Sequence, residues 1–330
     1  MSLHPLTREV EKVKPLIVGS GTNPALCREV LSAFPSDQVE QVTTKRFSDG
    51  ELDVEYASRI DRRLVYLVGS VGPPNVNANL VNMLLLASAA DLAHERVAVL
   101  SYLGYSRNDY RKQGRNIPLT AKTIPMLFAA VGVHRLLVME THAKQAPCFA
   151  PQGAALIPMQ PRDCMLEVFL RDPLVMEALE EDKFVICNPD SGGAERARAY
   201  RSKVPSAKSA SMDKLREGID PTIGGMAGNV KGCLVGIFDD MIDRAGTLCE
   251  AAEFVCGQGA RGVVALASHP VFSGPAVERI NSSPHIKKVF VGNTLPLSEA
   301  ALASDKIEVI SVSSVIVGAI KKDLESLSEQ

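Results

Sequence analysis

A chain of 330 residues exceeds what one hydrophobic core organises, so two domains of roughly 150 residues each are expected and a lone small module is excluded. With 46% apolar residues, 22% charged residues and a mean hydropathy of +0.06, the composition is that of a globular protein, not of a disordered or membrane-spanning chain. The net charge of −2 and the pI near 6.3 give no global field for nucleic acid, so an anionic ligand must be held by local groups.

Residues 1–14 lack the continuous apolar run of a secretory leader. The longest apolar stretch, 80–93, is interrupted by Asn82 and Asp91 and is too short to span a bilayer. A cytoplasmic protein with no membrane partner is expected. Further along, short apolar runs alternate with helical periodicity. Strands are predicted at 16–18, 64–68, 97–102, 136–139, 184–188, 208–212, 234–238, 263–267, 288–291 and 307–312. Helices are predicted at 81–93, 121–131, 193–203, 247–257 and 275–280. This rhythm predicts an α/β fold with mostly parallel sheets. The Pro- and Gln-rich stretch 146–163 separates two groups of strands, giving a first domain over 1–155 and a second over 156–304. The terminal strand and helix within 305–330 form a candidate segment for packing back on the first domain. Seven scattered cysteines without a C-x-x-C pair fit reduced thiols better than a disulfide framework or a zinc site.

In open α/β sheets ligands bind beyond the carboxyl ends of the strands, and three loops there are unusual. Asn188 is followed by Pro189-Asp190-Ser191-Gly192-Gly193, and Met139 by Glu140-Thr141-His142. Phe238 is followed by Asp239-Asp240-Met241-Ile242-Asp243-Arg244-Ala245-Gly246-Thr247. In the last loop a buried strand delivers two carboxylates to its tip, and a Gly-containing turn opens a helix whose free N–H groups can receive a phosphate. The acids could accept hydrogen bonds from vicinal sugar hydroxyls, and Thr247 adds a hydroxyl to the cradle. The alternative is a helix start whose acids serve only its dipole, an effect of ~0.3–1 kcal/mol each. Capping needs one acid and this loop carries three. Neither GxxxxGK[ST] nor a complete GxGxxG occurs, since Gly19-Ser20-Gly21 leads into Thr22-Asn23-Pro24, which argues against P-loop kinases and dinucleotide oxidoreductases.

The acidic strand tip with Asp-x-Ala-Gly-Thr resembles the phosphoribosyl pyrophosphate loop of phosphoribosyltransferases and ribose-phosphate pyrophosphokinases. Other segments resemble the second family. Phe47-Ser48-Asp49-Gly50-Glu51 is similar to its adenine-contacting F-x-[DN]-x-E, Asn77-Ala78-Asn79-Leu80 to N-D-N-L, and Tyr105-Ser106-Arg107-Asn108-Asp109 to Y-A-R-Q-D. Pro118-Leu119-Thr120-Ala121-Lys122 is similar to P-I-[ST]-A-K, and Asn188 to Gly193 to S-P-D-A-G-G. Asp213-Lys214-Leu215-Arg216 resembles the K-x-R loop, and Gly292-Asn293-Thr294-Leu295-Pro296 resembles T-N-T-I-P. The segments follow the family's order. This chain departs from the pattern at Glu140, where the family has Asp, at Arg244, where Thr is usual, at the interposed Tyr110, and at Pro147-Cys148.

The resemblance implies two tandem phosphoribosyltransferase-like, Rossmann-like domains, the first on the ATP side and the second on the ribose 5-phosphate side. It implies transfer of the β,γ-diphosphoryl group of ATP to the C1 hydroxyl of ribose 5-phosphate. Lys214, Arg216 and Arg107 would stabilise charge in the reaction. Phe47, Asp49, Glu51, Arg107, Asn108 and His142 would bind ATP. Asp239, Asp240, Asp243, Arg244, Ala245, Gly246 and Thr247 would bind ribose 5-phosphate. His142, Asp190 and Glu140 would hold Mg²⁺. A homo-oligomer built from dimers, commonly a hexamer, is implied, with the first-domain hairpin of one subunit reaching its neighbour. Two other readings are a catalytically weak paralogue that modulates active subunits, and a true phosphoribosyltransferase.

Overall fold

Runs of Val, Ile and Leu without polar alternation build strands that are covered on both faces, and such strands pair in parallel. The computed structural model of the protein describes residues 15–111, 113–188, 194–215 and 222–328. Its first part holds β1 (Pro15–Gly19), α1 (Pro24–Leu31), β2 (Val39–Glu40), β3 (Val42–Arg46), β4 (Leu52–Tyr56), β5 (Leu64–Val71), α2 (Val76–Ala89), β6 (Glu95–Leu103), α3 (Thr120–Ala130), β7 (Arg135–Met139) and β8 (Ala155–Met159). The second holds α4 (Arg162–Leu170), α5 (Pro173–Glu180), β9 (Phe184–Asn188), α6 (Ala194–Arg201), β10 (Lys208–Leu215), β11 (Thr222–Ala227), β12 (Leu234–Ile242), α7 (Gly246–Gly257), β13 (Gly262–Pro270) and α8 (Ala276–Ser282). It continues with β14 (Ile286–Gly292), α9 (Glu299–Leu302), β15 (Ile307–Ile310) and α10 (Ser313–Ser328).

The fold is α/β. A parallel sheet runs β2-β1-β5-β6-β7-β8, and a second runs β11-β10-β9-β12-β13-β14-β15 with only β10 and β11 antiparallel. The strand β8 belongs to the first sheet, so the change of sheet falls after Met159, inside the Pro- and Gln-rich stretch. The terminal segment divides: β15 pairs with β14 in the second sheet, whereas α10 packs on α1 and β8. There Asp323 accepts from the Tyr66 hydroxyl at 2.7 Å and pairs with Arg135 at 3.0 Å.

Every strand predicted from an apolar run is present. The edge strands β2, β8 and β11 were not predicted, and the strands β3 and β4 of the hairpin that the resemblance implied could not be read from apolar runs, because strands as exposed as β3 and β8 carry little apolar contrast. The first long helix begins five residues earlier than its apolar run. Asn79 explains this: its N–H bonds to the Asn75 carbonyl at 2.8 Å, and its side chain donates to the Gly72 carbonyl at 2.8 Å, so a polar turn is consumed in starting α2. Of the core layers, one joins a face of each sheet through α1, α4, α5, α6 and α10, with Phe169 touching the rings of Phe184, Phe238 and Phe290. That shared layer orients the two sheets so that the carboxyl ends of β6 and β7 confront those of β12 and β13. Among the described residues no helix is long and apolar enough to cross a membrane.

Candidate active site

Because successive residues of a strand point to opposite faces, β12 sends its two acids in different directions. Asp240 is buried, whereas 45% of the Asp239 side chain is exposed on a cleft of about 930 Å³. The cleft is lined by Arg107 and His142 from the first sheet's loops, by the whole run from Asp239 to Thr247, and by Arg279. Beyond the acids, Ala245 adopts a left-handed conformation (φ 56°) and α7 starts at Gly246, so the free N–H groups of the first turn open on the cleft. Arg244 is exposed and lines the cleft beside the cradle.

Contacts across the cleft join the residues expected on the ATP side to those expected on the sugar side. His142 Nδ1 meets Asp240 Oδ2 at 2.6 Å, and Arg107 Nη1 donates to Asp243 Oδ2 at 2.6 Å. Arg196 of α6, only 18% exposed, donates to Asp239 at 2.7 Å and lies 3.2 Å from Asp240 and 3.4 Å from Glu140. Glu140 is turned inward, its second oxygen accepting from the Ser268 hydroxyl, with its backbone carbonyl 3.0 Å from His269 Nε2.

The charges follow from these contacts. The hydrogen bond to Asp240 raises the His142 pKa against the opposing effect of burial. Burial pushes the Asp240 carboxyl up, but His142 and Arg196 outweigh it and hold the group well below the usual carboxylate range. Burial and the neighbouring Asp240 charge push Asp239 up. Asp243 is raised by burial and lowered more strongly by Arg107, with a net downward shift. Burial pushes the His269 pKa down, and its ring bridges the Glu140 carbonyl and the Thr294 hydroxyl.

Other expected site residues lie elsewhere. Phe47, Asp49 and Glu51 form the tip of the β3–β4 hairpin, where Phe47 is 53% exposed, the Glu51 N–H donates to Asp49 at 3.0 Å, and none of the three lines the cleft. The Asn108 carbonyl receives the Ala121 N–H at the start of α3. Lys214 pairs with Ile223 in the β10–β11 ladder. Asp190 and Arg216 fall outside the described residues. Arg196 and Arg279 were not predicted, because spacing does not distinguish them from the other charged residues of α6 and α8. His269 carried a weak signal, since it follows a strand.

A family profile described as the N-terminal domain of ribose phosphate pyrophosphokinase matches residues 16–132, and one described as the phosphoribosyl synthetase-associated domain matches residues 188–329. The ribose-phosphate pyrophosphokinase of Xanthomonas axonopodis pv. citri is 33% identical over 310 residues, covering 93% of this chain and 94% of its own. That of Marinomonas sp. is 31% identical, covering 94% and 95%. The chloroplastic ribose-phosphate pyrophosphokinase 1 of Oryza sativa subsp. japonica is 35% identical, covering 86% of this chain and 70% of its own. The crystal structure of phosphoribosylpyrophosphate synthetase from Mycobacterium smegmatis superposes with a TM-score of 0.85 at 24% identity, covering 95% and 99%, and so shares the fold. With two relatives aligned nearly end to end above 30% identity, the chain belongs to the ribose-phosphate pyrophosphokinase family.

Proposed function

We propose that the cleft transfers the β,γ-diphosphoryl group of ATP to the C1 hydroxyl of ribose 5-phosphate, giving 5-phosphoribosyl 1-pyrophosphate and AMP. The observation that carries this reading is the direct pairing of His142 and Arg107 with Asp240 and Asp243, which brings the loops of the first sheet to within hydrogen-bond distance of a sugar-phosphate loop. Ribose 5-phosphate sets its phosphate on the first turn of α7 and its hydroxyls against Asp239. The C1 oxygen attacks the β-phosphorus as the bond from that phosphorus to the α–β bridging oxygen breaks, AMP departs with the bridging oxygen, and the proton of the C1 hydroxyl is released to solvent. The chain contributes position and fixed charge, not a covalent nucleophile. Arg107 exchanges Asp243 for the polyphosphate as ATP enters. By the family resemblance, Lys214 and Arg216 add charge over the same phosphates.

Magnesium suits this donor set. Among the described residues no three His, Cys, Asp or Glu side chains converge on one point, and magnesium meeting a nucleotide takes few protein ligands and many phosphate and water oxygens. His142, whose other ring nitrogen has no partner among the described residues, and Asp190 would hold it, and the ion would neutralise phosphate charge. Glu140 is left out of the set, because Ser268 and Arg196 occupy its oxygens.

The hairpin tip lies away from the cleft of its own chain, which supports a homo-oligomer, dimer-based and up to a hexamer, in which Phe47, Asp49 and Glu51 serve the adenine of a neighbouring copy. The two sheets are proposed as the two domains, the first taking ATP and the second ribose 5-phosphate. Seven free cysteines support a cytoplasmic setting.

The test is AMP formation by the purified protein. AMP is expected only when ATP and ribose 5-phosphate are both present. AMP release without the sugar phosphate, activity only after mixing with another subunit, or pyrophosphate release that depends on a nucleobase would overturn the proposal.

A further inference from the structure

Two guanidinium groups stand at the phosphate cradle without an ion pair among the described residues. Arg244 lies on the loop before α7, and Arg279 comes from the neighbouring α8. Arg279 Nη1 donates to the Arg244 carbonyl at 3.0 Å and lies 3.5 Å from the point a Cβ on Gly246 would occupy. Between these two contacts sits Ala245, left-handed at φ 56° and ψ 7°, with no side-chain cap at the head of α7. A residue with a Cβ holds such a conformation only where its surroundings impose it. A guanidinium on that carbonyl also offsets the negative end of its dipole beside the cradle.

We propose that Arg279 is the positioning residue of the phosphate loop. It holds the Arg244 carbonyl aside and Ala245 left-handed, so that the N–H groups of α7 face the phosphomonoester of ribose 5-phosphate. Its other N–H donors, unpartnered among the described residues, add positive charge at the same wall. This inference rests on the reaction proposed above and deepens its sugar-phosphate half.

The full-length chain is compared with Arg279→Gln and Arg279→Lys by steady-state kinetics and by thermal unfolding with and without inorganic phosphate. Losing one charge-assisted hydrogen bond corresponds to about a tenfold or larger rise in KM for ribose 5-phosphate. Arg279→Gln is expected to show that rise with much smaller changes in kcat and in KM for ATP, and Arg279→Lys is expected to recover part of it. Unchanged KM for ribose 5-phosphate, or equal rises for both substrates, overturns the inference. If Arg279→Gln does not fold, Arg279→Lys decides on the same readouts. Should the wild type form no AMP from the two substrates, the reaction proposal fails separately, and the loop is judged on phosphate alone. Thermal protection by inorganic phosphate that is lost in the variant supports Arg279, and protection that is retained overturns it.

Discussion

Asp239 and Asp240 are neighbours in sequence, yet the strand divides their work. Asp240 is committed to His142 and Arg196 inside the cleft wall, so its removal disturbs both walls at once. Asp239 keeps one oxygen on Arg196 and exposes the rest of its carboxylate to the cleft. Asp239→Asn is therefore expected to raise KM for ribose 5-phosphate about tenfold, the scale of a hydrogen bond to a charged acceptor, while KM for ATP changes little. Initial-rate measurements with each substrate varied in turn check this, and an equal rise for both would assign Asp239 to the whole cleft. The acids and His142 were legible in the sequence because they follow apolar runs directly, whereas Arg107 was legible only through the resemblance of the segment from Tyr105 to Asp109. Arg196 was not, since α6 also carries Arg198 and Arg201 and only the folded geometry shows which guanidinium turns inward.

At the scale of elements, β12 is the part on which the site depends, and Gly236 lets its neighbours pack. A Cβ there would lie 2.7 Å from the Phe184 ring and 3.1 Å from the Phe238 ring, both in the layer that joins the sheets. Gly236→Ala is expected to cost about 1–3 kcal/mol through overpacking, read as a lowered urea midpoint with an unchanged slope. A variant as stable as the wild type would show that these rings relax freely. Central strands such as β12 could be read from the sequence because burial on both faces leaves an unbroken apolar run. The hairpin β3–β4 could not be read as strands: four of the five residues of β3 are exposed, and its pairing rests on backbone hydrogen bonds that leave no apolar trace.

For the whole molecule, the last helix fastens to the first sheet although the strand before it belongs to the second. Asp323 is the fastening, buried between Tyr66 and Arg135, with Glu95 as a second partner for the guanidinium. Asp323→Ala is expected to lower stability by about 1.5–3 kcal/mol, because a charged hydrogen-bonded pair is broken while Glu95 remains on Arg135. Chemical denaturation followed by two probes checks this, and a change below about 0.5 kcal/mol would mean that α10 is held by its apolar face alone. This connection was only partly legible in the sequence, since a terminal strand and helix can each choose a different sheet and nothing local records the choice.

Between its opposed walls the proposed cleft moves a diphosphoryl group intact. Phosphorus NMR of the purified protein with ATP, ribose 5-phosphate and Mg²⁺ follows that group from donor to product. AMP and a diphosphate ester at C1 of the sugar should appear in equal amounts with no ADP. Formation of ADP with a singly phosphorylated C1, or consumption of ATP independent of the sugar phosphate, would contradict the claim.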